Sequence, residues 1–180
     1  MLCDNWATAF PFTDQDFTVE LEYRPSELPA SNERFWLIGS YFATAPRRSW
    51  SLNYRNNAGT RTIEFVYNAT GQGAGNVLVD FGPITLDTDE FQHIAISRDG
   101  EDLRCFVNGT QVGATHNIGT TSLYSIPAGE GDWLVIGTGV SNGQTSPTNY
   151  SGNERLEQQG REVEFGNECA ASRGFCVAGH

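Results

Sequence analysis

Two glutamates, Glu20 and Glu22, alternate within the stretch Phe17 to Arg24, and alternate residues of a strand share one face. Carboxylates sharing a face are what hydrolysis of a glycosidic bond uses, one as acid and one as nucleophile or base. No third carboxylate follows at a matching offset, and Arg24-Pro25 ends the run, so no catalytic set is expected. His93 has the chemistry of a general base. It stands mid-strand on the side of Phe91 and Ala95, so a hydrogen-bonded core histidine is the expectation. No serine or cysteine sits in a recognisable nucleophile setting. Gly71-x-Gly73-x-Gly75 lacks the following helix start that a phosphate cradle needs, and predicts a loop tip.

Oxygen ligands for a hard cation are more plentiful. Asp14, Asp16, Asp87, Asp89 and Asp132 lie in predicted loops, beside Asp80, Glu90 and Glu130. Calcium takes six to eight oxygens, often from loops that meet in space. No ordered Asp-x-Asp-x-Asp-Gly loop is present, so solvated acidic loops are the competing explanation. Of the four cysteines, Cys105 falls inside a predicted strand, as a small buried hydrophobe would. Cys169 and Cys176 are close enough to close a small disulfide loop. With His180 they match no standard zinc spacing.

The elements that must position these residues are strands. Phe17, Val19, Leu21 and Tyr23 alternate with Thr18, Glu20, Glu22 and Arg24, which predicts a strand with one wet face. Phe35 to Phe42 is a dense apolar run, in which Trp36 is expected in the core. Trp50, Leu52 and Tyr54 alternate with Ser51, Asn53 and Arg55; Ile63, Phe65 and Tyr67 alternate with Glu64 and Val66. Val77 to Phe81 follows. Phe91 to Ile96 is apolar on both sides and predicts a strand covered on both faces. Leu103, Cys105 and Val107 lead into Asn108-Gly109, a strong signal for a two-residue hairpin. With Thr110 to Val112 and Trp133 to Thr138, about nine strands are expected, enough for two packed sheets. Residues 1–16 are expected to be irregular, and Arg161 to Phe165 is the only sequence-level candidate for a closing strand.

A chain of 180 residues suits one domain able to bury a single core. Twenty glycines, eleven phenylalanines and no helical periodicity favour an all-β fold. The formal net charge of −11 argues against binding nucleic acid or an anionic membrane surface. All eleven basic residues are arginine. No stretch has the apolar length of a membrane span, and the first ten residues lack the pattern of a secretory leader.

The run Phe91-x-His-Ile-Ala-Ile-Ser-Arg-Asp-Gly100, followed by Leu103-Arg-x-Phe-Val-Asn-Gly109, resembles the central hairpins of laminin-G-like domains. These belong to the concanavalin A-like group of lectins and glucanases, which includes the pentraxins. Asp16 to Pro25 resembles the same group's early strand, and Trp133 to Gly137 its late strand. The group usually has Trp where Phe91 stands and often Asp where Asn108 stands. The resemblance spans roughly residues 12–138. It implies a two-sheet antiparallel jelly-roll sandwich over residues 17–138, with extensions at 1–16 and 139–180, the latter closing or sharing a sheet edge. The Glu-x-Asp-x-x-Glu strand of the group's glucanases is missing, so a non-catalytic role is implied. Many relatives bind calcium. Glycan binding is the commonest non-catalytic role, through sugars stacked on aromatic rings beside amides and carboxylates. It points to Trp50, Tyr54, Asn53, Arg55, Tyr41 and Tyr124, with Trp6 and Tyr150 further candidates.

Taken with the acidic surface, these features predict a surface recognition or structural module. The first expectation is a virion protein, decorating a capsid or tail fibre, with capsid or tail subunits and copies of itself as partners. A secreted or cell-surface carbohydrate-binding module is the second, and a divergent glucanase the third. Asn68, Asn108 and Asn149 begin glycosylation sequons, discounted for want of a leader.

Overall fold

A computed structural model of the chain describes residues 2–3, 13–41, 46–127, 134–137 and 178–179. It is built of strands: β1 (Leu2–Cys3), β2 (Phe17–Tyr23), β3 (Arg34–Tyr41), β4 (Arg48–Asn57), β5 (Thr60–Asn68), β6 (Asn76–Phe81), β7 (Gln92–Asp99), β8 (Asp102–Val107), β9 (Thr110–Asn117), β10 (Leu134–Ile136) and β11 (Ala178–Gly179). One 3₁₀ turn, Gly73–Gly75, stands where the spaced glycines predicted a loop tip. The expected two-sheet antiparallel sandwich is present. One sheet has the order β1-β10-β3-β4-β5-β6, the other β11-β2-β7-β8-β9. Successive strands change sheet after β1, β2, β6, β9 and β10.

Alternation fixes the core. Phe17, Val19, Leu21 and Tyr23 face inward from the five-stranded sheet, with Ile94, Ile96, Leu103 and Cys105. Trp50, Leu52, Tyr54, Ile63 and Phe65 meet them from the six-stranded sheet. The Trp50 and Phe65 rings stack with centroids 6.1 Å apart, and Phe17 reaches Phe65 at 6.3 Å. Each such side chain, once buried, contributes about 1.5–3 kcal/mol.

The hairpins follow turn chemistry. Asn108 and Gly109 both take positive φ (50° and 75°), as a type I′ turn requires, and join Val107 to Thr110. Ala58 and Gly59 do the same between Asn57 and Thr60. Gly113 has φ +67°, and a Cβ there would lie 2.9 Å from Phe81 Cα, so the edges β9 and β6 approach closely. Across the gap beside them, the Tyr67 hydroxyl lies 3.2 Å from His116 Nε2.

The expectations for residues 1–16, for His93 and for cover on both faces of β7 are corrected. Residues 1–16 are not wholly irregular, since Leu2 and Cys3 pair with Val135 and Leu134. An edge of the second sheet is met by Ala178 and Gly179, paired with Thr18 and Phe17; Arg161 to Phe165 lies outside the described residues. His93 is not a core residue. β7 turns Ile94 and Ile96 inward, leaving His93 partly exposed on the outer face, 3.1 Å from Glu20 Oε2. Only one side of that strand faces the core, and Phe91 before it is 41% exposed.

At one end of the sandwich, Arg98 is buried and donates to four backbone carbonyls. They are Gly100 (2.9 Å), Thr121 (2.7 Å), Gly119 (2.9 Å) and Thr13 (3.3 Å). No helix of the described residues is long and apolar enough to cross a membrane.

Candidate functional site

The outer face of the six-stranded sheet carries side chains whose burial and charge its surface position does not require. Register places them in rows. Arg34, Arg55 and Thr62 are successive partners across β3, β4 and β5. The next row is Trp36, Asn53, Glu64 and Asp80; the one after is Gly39, Ser51, Val66 and Leu78. All point away from Trp50, Leu52, Tyr54 and Phe65, because strand side chains alternate.

Glu64 is the charge at the centre of this face. It is fully buried, and both its oxygens are engaged. Arg34 Nη2 lies 2.8 Å from Oε1, and Arg55 Nη1 donates to Oε2 at 2.8 Å. Asn53 Nδ2 donates to Oε1 (3.3 Å) and to Ser51 Oγ (3.1 Å). The Asn53 amide is itself fully buried, and its Oδ1 has no hydrogen-bond partner. Arg34 Nε is likewise unpartnered. A buried polar atom without a partner costs about 1–3 kcal/mol unless an ordered water meets it. Asp80 is exposed and accepts from Thr62 Oγ1 at 3.1 Å.

Beside this network stands a pair of rings. Trp36 and Tyr41 flank Gly39 on the outer side of β3, both partly exposed, with ring centroids 5.7 Å apart. A Cβ at Gly39 would lie 2.6 Å from Trp50 O, so only glycine lets β3 and β4 pair there. The Arg34 guanidinium lies 5.8 Å from the Trp36 ring, and that of Arg48 5.9 Å from the Tyr41 ring. Asn76 Nδ2 donates to the Tyr41 hydroxyl at 2.6 Å, which fixes that ring. Farther along, Val135 packs with Ile126 and Tyr124 in a small apolar cluster. Val135 is paired with Gly39, so this cluster too lies on the outer side of the sheet.

The sequence-level glycan candidates divide. Tyr41 and Arg55 fall on the outer face, with Asn53 in the buried network beneath Arg55. Tyr124 lies at its apolar margin, its backbone N–H donating to Asn68 O. Trp50 and Tyr54 do not belong with them. They are 1% and 0% exposed, packed in the core, and offer no ring face to a sugar. Tyr54 uses its hydroxyl to accept from Leu86 N. Trp36, expected in the core, is on the surface instead, and Arg34 and Glu64 were not anticipated. Parity was the usable signal, since Trp50 and Tyr54 cannot share a face with Asn53 and Arg55. Trp6 and Tyr150 lie outside the described residues.

The aspartates proposed for calcium are not brought together. β2 and β7 pair from Phe17 opposite Arg98 to Tyr23 opposite Gln92. Asp14 and Asp16 precede the first pair, whereas Asp87 and Asp89 precede Gln92 at the other end. A seven-residue strand separates the two sets, roughly 20 Å. Asp16 Oδ1 accepts from Gly100 N, and Asp87 Oδ1 from Asp89 N. Among the described residues no three His, Cys, Asp or Glu side chains gather around a metal position. Asp132 lies outside the described residues, as do Cys169 and Cys176. Cys105 is a buried free thiol, and burial pushes it up to about 12. Glu20 and Glu22 lie on the outer face of the other sheet, where Glu20 meets His93.

A laminin G family model, described as the concanavalin A-like lectin/glucanases superfamily, matches residues 5–151. No curated protein matches the chain.

Proposed function

Since the chain belongs to the concanavalin A-like lectin/glucanases superfamily, a fold that fits a lectin-like or binding module, we propose that it is a non-catalytic surface recognition module that binds glycans on the outer face of its six-stranded sheet. One observation carries this reading. A partly exposed ring pair, Trp36 and Tyr41, stands beside the partly exposed guanidinium groups of Arg34 and Arg55. Rings stack the apolar face of a sugar, and guanidinium donors within reach of solvent suit its hydroxyls.

The carboxylates of this face support binding over hydrolysis. Glu64 and Asp80 are cross-strand partners, but both Glu64 oxygens are held by arginines and asparagine, so neither is free to act on a bond. The setting we propose is an exposed surface, that of a virion first and of a cell or its surroundings second, with coat subunits or further copies of the chain as partners. The net charge of −11 supports a module that stays off nucleic acid and anionic lipid.

A glycan array probed with the wild type and with Trp36→Ala tests the binding claim. At least one sugar should bind, and Trp36→Ala should weaken it by about tenfold or more with the far-ultraviolet circular dichroism unchanged. Trp50→Ala should instead destabilise the fold by about 3–5 kcal/mol. An array with no bound sugar, or binding indifferent to Trp36, overturns the reading. Copurification with particles at fixed stoichiometry tests the virion setting.

A further inference from the structure

We infer that the sugar recognised by this face carries a carboxylate, that is, a residue of the uronic acid class; the inference rests on the glycan reading above. Arg34 and Arg55 are direct partners across β3 and β4. Like charges placed directly opposite in a sheet repel and destabilise it. Glu64 sits against both guanidinium groups and offsets one of the two charges. The other is left over. Asp80, the next carboxylate along, bonds Thr62 and neither arginine. The two arginines therefore hold a surplus positive charge on a chain whose net charge is −11. Their side chains are 30% and 25% exposed, enough to be reached from solvent and shielded enough for charge to count.

The geometry suits a planar anion. Guanidinium presents parallel N–H groups that match a carboxylate with two bonds, which a neutral hydroxyl cannot do. Arg34 bonds Glu64 through Nη2 and Arg55 bonds it through Nη1, so the second terminal nitrogen of each guanidinium is left for a ligand. Arg34 also lies 5.8 Å from the Trp36 ring, so a pyranose resting on the indole has its ring substituent within reach of that guanidinium. Glu64 is a positioning residue in this arrangement, because it draws the two arginines together and fixes where their remaining donors point.

Titration calorimetry of the intact chain tests this with three sets of oligosaccharides of matched length: uronic acid oligomers, their methyl esters and neutral oligomers. The wild type should bind at least one acid about tenfold tighter than its ester. Arg55→Gln should bring that ratio to within about twofold, while Trp36→Ala weakens acid and ester alike. The acid-to-ester ratio of the wild type needs no variant, and stands if a variant fails to fold. Equal binding of acid and ester, still dependent on Trp36, overturns the carboxylate inference and leaves the glycan reading in place. A preference for acid that survives both Arg34→Gln and Arg55→Gln overturns the assignment to this pair. Failure to bind any oligomer of the three sets overturns both.

Discussion

The Tyr67 hydroxyl, on the six-stranded sheet, and His116 Nε2, on the five-stranded sheet, lie 3.2 Å apart. Their rings are 6.1 Å apart between centroids. The two layers are thus hydrogen-bonded to each other where β6 and β9 converge, and not only packed. Tyr67→Phe deletes the hydroxyl and keeps the ring. It should cost about 0.5–1.5 kcal/mol, seen as a lower urea midpoint at unchanged slope. Combined with His116→Ala it should be less than additive, because the two substitutions remove one bond.

Glu64→Gln should destabilise more than its size suggests. The substitution keeps the shape but leaves Arg34 and Arg55 opposite each other with no counter-charge. Removing one member of a buried pair costs about 3–5 kcal/mol; with both arginines partly exposed, about 1–3 kcal/mol is expected. Chemical denaturation of the variant measures it. Stability should recover in part when Arg55→Gln is added, since the repulsion then disappears. A Glu64→Gln chain as stable as the wild type would show that Glu64 does not hold the arginines.

Stability should fall on the alkaline side. Burial pushes the Cys105 thiol from its ordinary 9.0 to about 12. Burial also raises the phenols of Tyr23 and Tyr54 above 10.0, with the neighbouring Tyr54 adding to the shift at Tyr23. The folded state then holds protons that the unfolded chain has released. Their stabilising effect is complete below about pH 9 and is lost as pH rises toward the folded values, by up to about 1.4 kcal/mol per group per pH unit. Urea midpoints between pH 8 and pH 11 should decline, and less steeply in Cys105→Ala. A flat profile would mean these groups are solvated in the native state.

The fold was legible because its signals are local. Alternation in β2, β4 and β5 named the core residues, and Asn108-Gly109 named its turn. The site was less so, for reasons that can be assigned. Phe35 to Phe42 carries apolar residues at both odd and even positions, so its parity is hidden. Leu37 sits in a register shift between Trp36 and Ile38, which puts Phe35, Leu37 and Ile38 inward and Trp36 outward. In β4 the parity was readable, yet Trp50 and Tyr54 were grouped with Asn53 and Arg55 because aromatic type outweighed position. His93 was misplaced because Ala95, on its side of the strand, resembles core. The separation of Asp14 and Asp16 from Asp87 and Asp89 depends on the β2–β7 register, which no short stretch encodes.

The grip of Arg98 on the carbonyls of Thr13, Gly100, Gly119 and Thr121 gives the molecule a closed pole, where three separate backbone stretches share one knot and none can be lengthened alone. The opposite pole holds the two hairpins at Ala58–Gly59 and Asn108–Gly109, whose glycines have open space around them. Foreign peptides grafted for display, or a fused reporter, belong at that open pole.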